Sequence, residues 1–172
     1  HVGGHPCEME KIIPWAKKKR LLVIEDCAHT AGGIYRGKML GTWGDISCFS
    51  FEEKKMLTTG DGGMICTNSK SLAEKFRNLS FHGWNRDPWS RHNKSLSNKN
   101  LKEKHWYYQI KDLGFKYNMN DLMAVIGQVQ LKKLNSFNIK RNIGIQKYLN
   151  GIKSCKNIKP YFVKEYKRIA YW

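Results

Sequence analysis

The sequence predicts an α/β fold, and three observations carry that prediction. Residues 7 to 19 place Ile12, Ile13 and Ala16 as an apolar patch at helical spacing. The run LLVIE at 21 to 25 is short, apolar and ends in an acid, which is the form of a buried parallel strand. A second β-rich run, ISCFSF at 46 to 51, is followed by another amphipathic helix pattern. Helices following strands that are apolar on both faces are the elementary units of an α/β core.

Taken in order, each element has a local reason. Pro14 lacks an amide hydrogen, so it must sit near the first turn of the opening helix or kink it. The stretch LTTGDGGMICT is expected to form two short strands around a glycine-rich turn. Residues 69 to 79 follow as a helix, with Ser69 as its cap and Leu72, Ala73, Phe76 and Leu79 on one face. From Trp84 to Lys104 the periodicity dissolves into a long polar loop, a length that is often functional. Asn120 caps the clearest helix, whose Leu122, Val125, Ile126 and Val129 are expected to form one apolar face. A second helical stretch is expected from about Asn138 to Ile152, and the tail ending in IAYW reads as a strand. Both ends read as cut within elements, since the chain opens on His1 and closes on that strand-like tail.

Composition narrows the function classes. The chain has 172 residues, enough for one domain with a real core. No apolar run approaches the roughly 20 residues that span a bilayer. Its five cysteines, Cys7, Cys27, Cys48, Cys66 and Cys155, are odd in number, scattered and never in a CxxC pair. That pattern argues against a disulfide framework and against a zinc site, and a reducing cytoplasm fits it best. The formal charge of +17 raises nucleic acid or an anionic membrane as partners. The basic residues, however, fall in short dispersed clusters such as Lys17 to Arg20, without the aromatic-basic repeat of a single-strand binder. No nucleic acid, membrane or metal is therefore expected as a partner.

Three motifs carry chemistry together: VIEDCAH at 23 to 29, FSFEEKK at 49 to 55 and TTGDGG at 58 to 63. An acid at the carboxyl end of a buried strand stands where open α/β sheets bind ligands, although Asp26 taken alone reads more readily as a cap or a salt-bridge partner. A lysine after a strand is usually solvated, and the pair Lys54 and Lys55 fits that view. The glycine turn, by itself, is a hairpin.

Order and spacing change the balance, because these motifs resemble the signature of the DegT/DnrJ/StrS sugar aminotransferases. The resemblance extends through HVGGHPCEME before the acidic strand, RNLSFHGWNRDPW at 77 to 89 and DLGFKYNMNDLMAVIGQVQL at 112 to 131. The GFKYN form and the HGxxRDxW stretch are most similar to the branch with the 4-amino-arabinose-forming enzymes. The resemblance implies the three-layer α/β core of a fold type I, aspartate-aminotransferase-type enzyme, truncated at both ends. Residues 1–135 are then the central part of the large domain that binds pyridoxal phosphate (PLP), and 136–172 the linking helix and start of the small domain.

It also implies roles. Asp26 pairs with the pyridine nitrogen, where a carboxylate keeps the ring protonated and able to accept electrons. Ala28 packs on the ring, His29 lies near the phenolic oxygen, and Ser50 holds the phosphate. Lys55, rather than Lys54, takes the Schiff-base position and serves both as tether and as acid/base. Gly60, Gly62 and Gly63 let the backbone turn sharply beneath the site. Lys116 and Asn118 stand in the segment that reaches a neighbouring subunit's cofactor phosphate, and His82 borders the nucleotide-sugar site. The implied reaction moves an amino group, with glutamate as donor, to a nucleotide-linked keto sugar in a cytoplasmic homodimer. A dehydratase of the same family would carry another residue, commonly histidine, at position 55. Family members are about twice this length, so a catalytically silent fragment is the main rival, and a basic nucleic-acid module the second.

Overall fold

The computed structural model describes residues 1–84 and 108–158. The region of the expected long loop beyond Trp84 and the strand-like tail lie outside them. The chain divides into two compact units, one of residues 1–68 and 119–172 and the other of residues 69–118.

The first unit opens on a 3-10 turn, Val2–Gly4, and helix α1, Met9–Lys18. Pro14 lies inside α1. Met9 on this helix packs with Tyr35 and Leu40 in a small buried cluster. Strand β1, Ile24–Asp26, pairs in parallel with β4, Ile46–Ser50, placing Asp26 opposite Cys48. β4 then pairs antiparallel with β5, Gly63–Thr67, giving the order β1-β4-β5. Between β1 and β4 lies a two-stranded hairpin of β2, Ile34–Tyr35, and β3, Lys38–Met39. Its turn residues Arg36 and Gly37 both have positive φ, the backbone a tight hairpin needs.

Several expectations are corrected. The first strand begins at Ile24 rather than Leu21, and Leu21, Leu22 and Ile24 are exposed rather than buried. LTTGDGGMICT forms one strand, not two. Thr58 and Thr59 are drawn instead onto Phe51, whose carbonyl accepts the Thr59 amide at 3.0 Å and the Thr58 hydroxyl at 3.1 Å.

Helix α3 is continuous from Asp121 to Ile152, where two helices were expected. Its N-cap is Asn120, whose side chain accepts from the Met123 amide. No glycine or proline interrupts residues 128 to 143, and Asn138 satisfies its amide laterally, donating to the Ala31 carbonyl at 3.0 Å. The expected division at residue 135 falls within this helix. Leu134 packs with Ala31, Met56 and Leu57 in the second buried cluster. Leu122, Val125, Ile126 and Val129 share a face but are exposed, Leu122 by 79%.

The second unit carries α2, Lys70–Ser80, capped by Ser69, whose hydroxyl accepts the Leu72 amide. Beyond it, Phe81 bridges to Lys116 and Trp84 to Ile110. Gly83, at positive φ, passes so close to the Asp112 carbonyl and Gly114 that a β-carbon on either glycine has no room.

Candidate active site

Asp26 ends β1. Because paired strand residues share a face and alternate residues do too, Asp26, Cys48 and Ser50 line one face of the sheet at the carboxyl ends of two parallel strands. This is where open α/β sheets place their ligands. The neighbourhood leaves an electrostatic mark: the Cys48 thiol is pushed up, chiefly by burial and then by the Asp26 charge and Cys66.

The Asp26 carboxylate is exposed and accepts the Ala28 amide at 3.0 Å on one oxygen, which folds the chain back just after the strand. It thus keeps acceptor capacity for a cationic partner. Ala28 and His29 follow, both half-buried. His29 Nδ1 accepts the Gly3 amide at 3.0 Å, so a neutral ring carries its hydrogen on Nε2. That tautomer donates to an oxygen acceptor.

β4 leaves the same sheet end through Ser50 into the 51–62 loop. Ser50 Oγ receives the Glu52 amide at 3.4 Å, leaving its own hydrogen to donate. The loop turns on Glu52, whose carboxylate accepts the Lys54 amide at 3.0 Å and whose carbonyl accepts the Lys55 amide at 3.0 Å. That turn separates the tandem lysines: Lys54 is exposed and Lys55 half-buried. Met56 and Leu57, the next two residues, are buried against Leu134 and anchor the loop from below.

The loop closes where the Phe51 amide donates to the Gly62 carbonyl at 2.8 Å. Gly62 has φ of 122°, and a β-carbon on Gly63 would stand 2.6 Å from the Phe49 carbonyl, so both positions require glycine. Gly60 also has positive φ.

Lys116 and Asn118 belong to the second unit and are exposed there. The Lys116 ammonium donates to Asn118 Oδ1 at 2.8 Å and lies 4.2 Å from the Phe81 ring centroid. His82 takes a positive φ of 60° beside Gly83. Among the described residues, then, Asp26, Ala28, His29, Ser50 and Lys55 belong to one unit and Lys116 and Asn118 to the other.

Sequence reasoning missed Glu25. Its side chain is 1% exposed, and its carboxylate accepts the amides of Gly41, Trp43 and Gly44 at 2.9, 2.6 and 2.7 Å. The alternation of strand faces was the available signal: if Asp26 faces the site, Glu25 faces away into the core.

In fold the chain is a portion of a PLP-dependent aminotransferase core. It superposes on the aminotransferase TlmJ of Streptoalloteichus hindustanus with a TM-score of 0.82 at 28% identity, covering 99% of this chain and 42% of that one. Residues 1–172 match the DegT/DnrJ/EryC1/StrS aminotransferase family, and the chain belongs to it. It is 36% identical over 171 residues to the spore coat polysaccharide biosynthesis protein SpsC of Bacillus subtilis, covering 99% of this chain and 42% of SpsC. It is 42% identical over 137 residues to the GDP-perosamine synthase of Escherichia coli O157:H7, covering 80% of this chain and 33% of that protein. The chain thus spans from about a third to a little over two fifths of the length of these relatives.

No helix among the described residues is long and apolar enough to cross a membrane. The five cysteines are free.

Proposed function

We propose that this chain is the cofactor-holding portion of a PLP-dependent aminotransferase that converts a nucleotide-linked keto sugar to an amino sugar, for cell-surface polysaccharide or related amino-sugar synthesis. One observation carries the reading: Asp26 and Ser50 share the face at the carboxyl ends of β1 and β4, and the loop leaving Ser50 carries a half-buried Lys55. The donors fit the cofactor. Asp26 offers an exposed carboxylate for a pyridinium, the Ser50 hydroxyl has a hydrogen for a phosphate, and His29, its Nδ1 held by the Gly3 amide, is the ring assigned to the phenolic oxygen.

When bound, the cofactor supplies an electron sink beside the amino group being moved. Asp26 holds the proton on the ring nitrogen and so keeps that sink strong. Ala28 packs against the ring. Lys55 Nζ would hold the cofactor covalently and would serve as the acid/base that moves a proton beside the amino group being transferred. Lys116 and Asn118, already paired through the ammonium and Oδ1, present one cation to the phosphate of a partner subunit.

The intact enzyme, on this reading, is a cytoplasmic homodimer with glutamate as donor. The exposed apolar face of α3 supports a covering surface of that kind. Residues 1–135 belong to its large domain and 136–172 begin its small one. The test is direct. The intact enzyme is incubated with glutamate and a panel of nucleotide-linked 3-keto and 4-keto hexoses and pentoses, and products are read by mass. Replacement of the keto oxygen by an amine on at least one sugar, with 2-oxoglutarate formed in equal amount, is expected. Loss of glutamate-dependent product on every sugar, with PLP bound, refutes the reading.

A further inference from the structure

The buried Glu25 carboxylate is held by four donors. Its Oε1 accepts from Trp43 and Gly44, and its Oε2 from Gly41 and, at 3.3 Å, from His1 Nε2. His1 Nδ1 accepts the Cys7 amide at 3.0 Å, which places the hydrogen of a neutral ring on Nε2, facing the carboxylate. The side chains of His1 and Glu25 are 2% and 1% exposed. Four donors thus converge on one buried carboxylate, and its roughly four lone-pair sites are all used.

His1, Glu25 and Cys27 also bring ligand-type atoms within 4.8 Å of one another. The cluster is an anchor rather than a cation site. Glu25 has no lone pair left, since four donors already take them.

The anchored loop is packed without slack. A β-carbon on Gly41 would stand 2.5 Å from the Phe49 ring, and one on Gly44 would stand 2.6 Å from the Val23 carbonyl. Phe49 lies between Cys48 and Ser50 on β4, and Asp45, at the loop's end, is tied to Val23 in both directions: its amide donates to the Val23 carbonyl and its carboxylate accepts the Val23 amide at 2.8 Å. Glu25 therefore joins β1, the 41–44 loop, the segment that enters β4, and the 1–7 segment.

We propose that Glu25 is a positioning residue: by clamping the 41–44 loop and His1 on the core face of β1, it fixes the direction in which Asp26 leaves the opposite face and the placement of Ser50 beside it. The proposal rests on the assignment of Asp26 and Ser50 to PLP. A glutamine is nearly isosteric but has one acceptor oxygen and turns amide hydrogens toward amide donors, so it fails where a purely space-filling role would tolerate it.

The experiment compares the intact wild-type enzyme with Glu25→Gln and Glu25→Asp at a temperature where circular dichroism shows each folded. PLP affinity is measured by absorbance titration, and exchange of the Gly41, Trp43 and Gly44 amides by hydrogen-deuterium exchange of the apo-protein. Glu25→Gln is expected to bind PLP about tenfold or more weakly, the loss typical of a removed supporting group, with all three amides exchanging faster. Glu25→Asp, which keeps the charge but draws it back, is expected to fall between. If Glu25→Gln binds PLP within twofold of wild type, the role is overturned. Should that variant not fold, Glu25→Asp decides: faster amide exchange with PLP affinity within twofold of wild type overturns it equally. Wild-type enzyme that takes up no PLP overturns the cofactor assignment itself, a result distinct from unequal or equal binding by the variants.

Discussion

Replacing Leu134 by alanine tests whether α3 supports the loop that carries Lys55. Leu134 is 7% exposed and packs on Ala31, Met56 and Leu57, the last two directly following Lys55. The substitution deletes three buried carbons, worth about 2.4 kcal/mol at about 0.8 kcal/mol each. The cavity left behind adds to this, because Asn138, on the same helix face one turn on, is held to Ala31 and limits collapse. A loss of about 3 to 4 kcal/mol is expected, within the range measured for buried leucines. Urea denaturation of the wild type and Leu134→Ala measures it, with Leu134→Met as a volume-conserving control expected to cost less than about 1.5 kcal/mol. Since Met56 and Leu57 lose a neighbour, PLP should also dissociate faster from Leu134→Ala than from the control. A loss under about 1 kcal/mol, or cofactor release unchanged from wild type, refutes the claim that this helix props the loop.

Two further outcomes follow from titratable groups. Burial raises the Cys27 thiol to about 12, whereas Cys7 is exposed, so at pH 8 a thiol reagent should label Cys7 quickly and Cys27 only after unfolding. Equal rates at the two cysteines, read by peptide mass, contradict the buried placement. The Tyr35 hydroxyl donates to Glu10 at 2.7 Å and, as the main cause, holds that carboxyl below its ordinary value of 4.5. A depressed carboxyl contributes stability above its unfolded pKa and loses it as pH falls through the folded one. The melting-temperature gap between wild type and Tyr35→Phe should therefore be widest above about pH 5 and shrink on acidification below 4.5. A gap that widens toward acid refutes the assignment.

What was legible in the sequence was local. Ser69 and Asn120 cap their helices as read, because a cap needs only a side-chain oxygen and an amide three residues on. Asp26, Ser50 and Lys55 were singled out by the family resemblance alone, since by local reading Asp26 is a cap or salt-bridge partner and Lys55 a solvated lysine. Contacts across longer separations were not legible. Glu25 meets Gly41, Trp43 and Gly44 from 16 to 19 residues away, and nothing in its own neighbourhood announces that. The Arg36–Gly37 turn lacks the Asn-Gly or Asp-Gly signal of a tight hairpin, and Arg36 itself takes the positive φ. Thr58 and Thr59 have β propensity, but their hydroxyls and the Thr59 amide bond within the loop instead. The periodicity of Leu122, Val125, Ile126 and Val129 identified a shared face correctly. What covers a face is a matter of partners, which periodicity does not encode.

One amine on this chain, Lys55, is assigned to hold the cofactor. Borohydride reduction of the intact enzyme after incubation with PLP, followed by peptide mapping, tests it most directly. The added cofactor mass is expected on Lys55, with Lys54 unlabelled and the label lost in Lys55→Ala. Label on Lys54, or label that survives Lys55→Ala at equal yield, contradicts it.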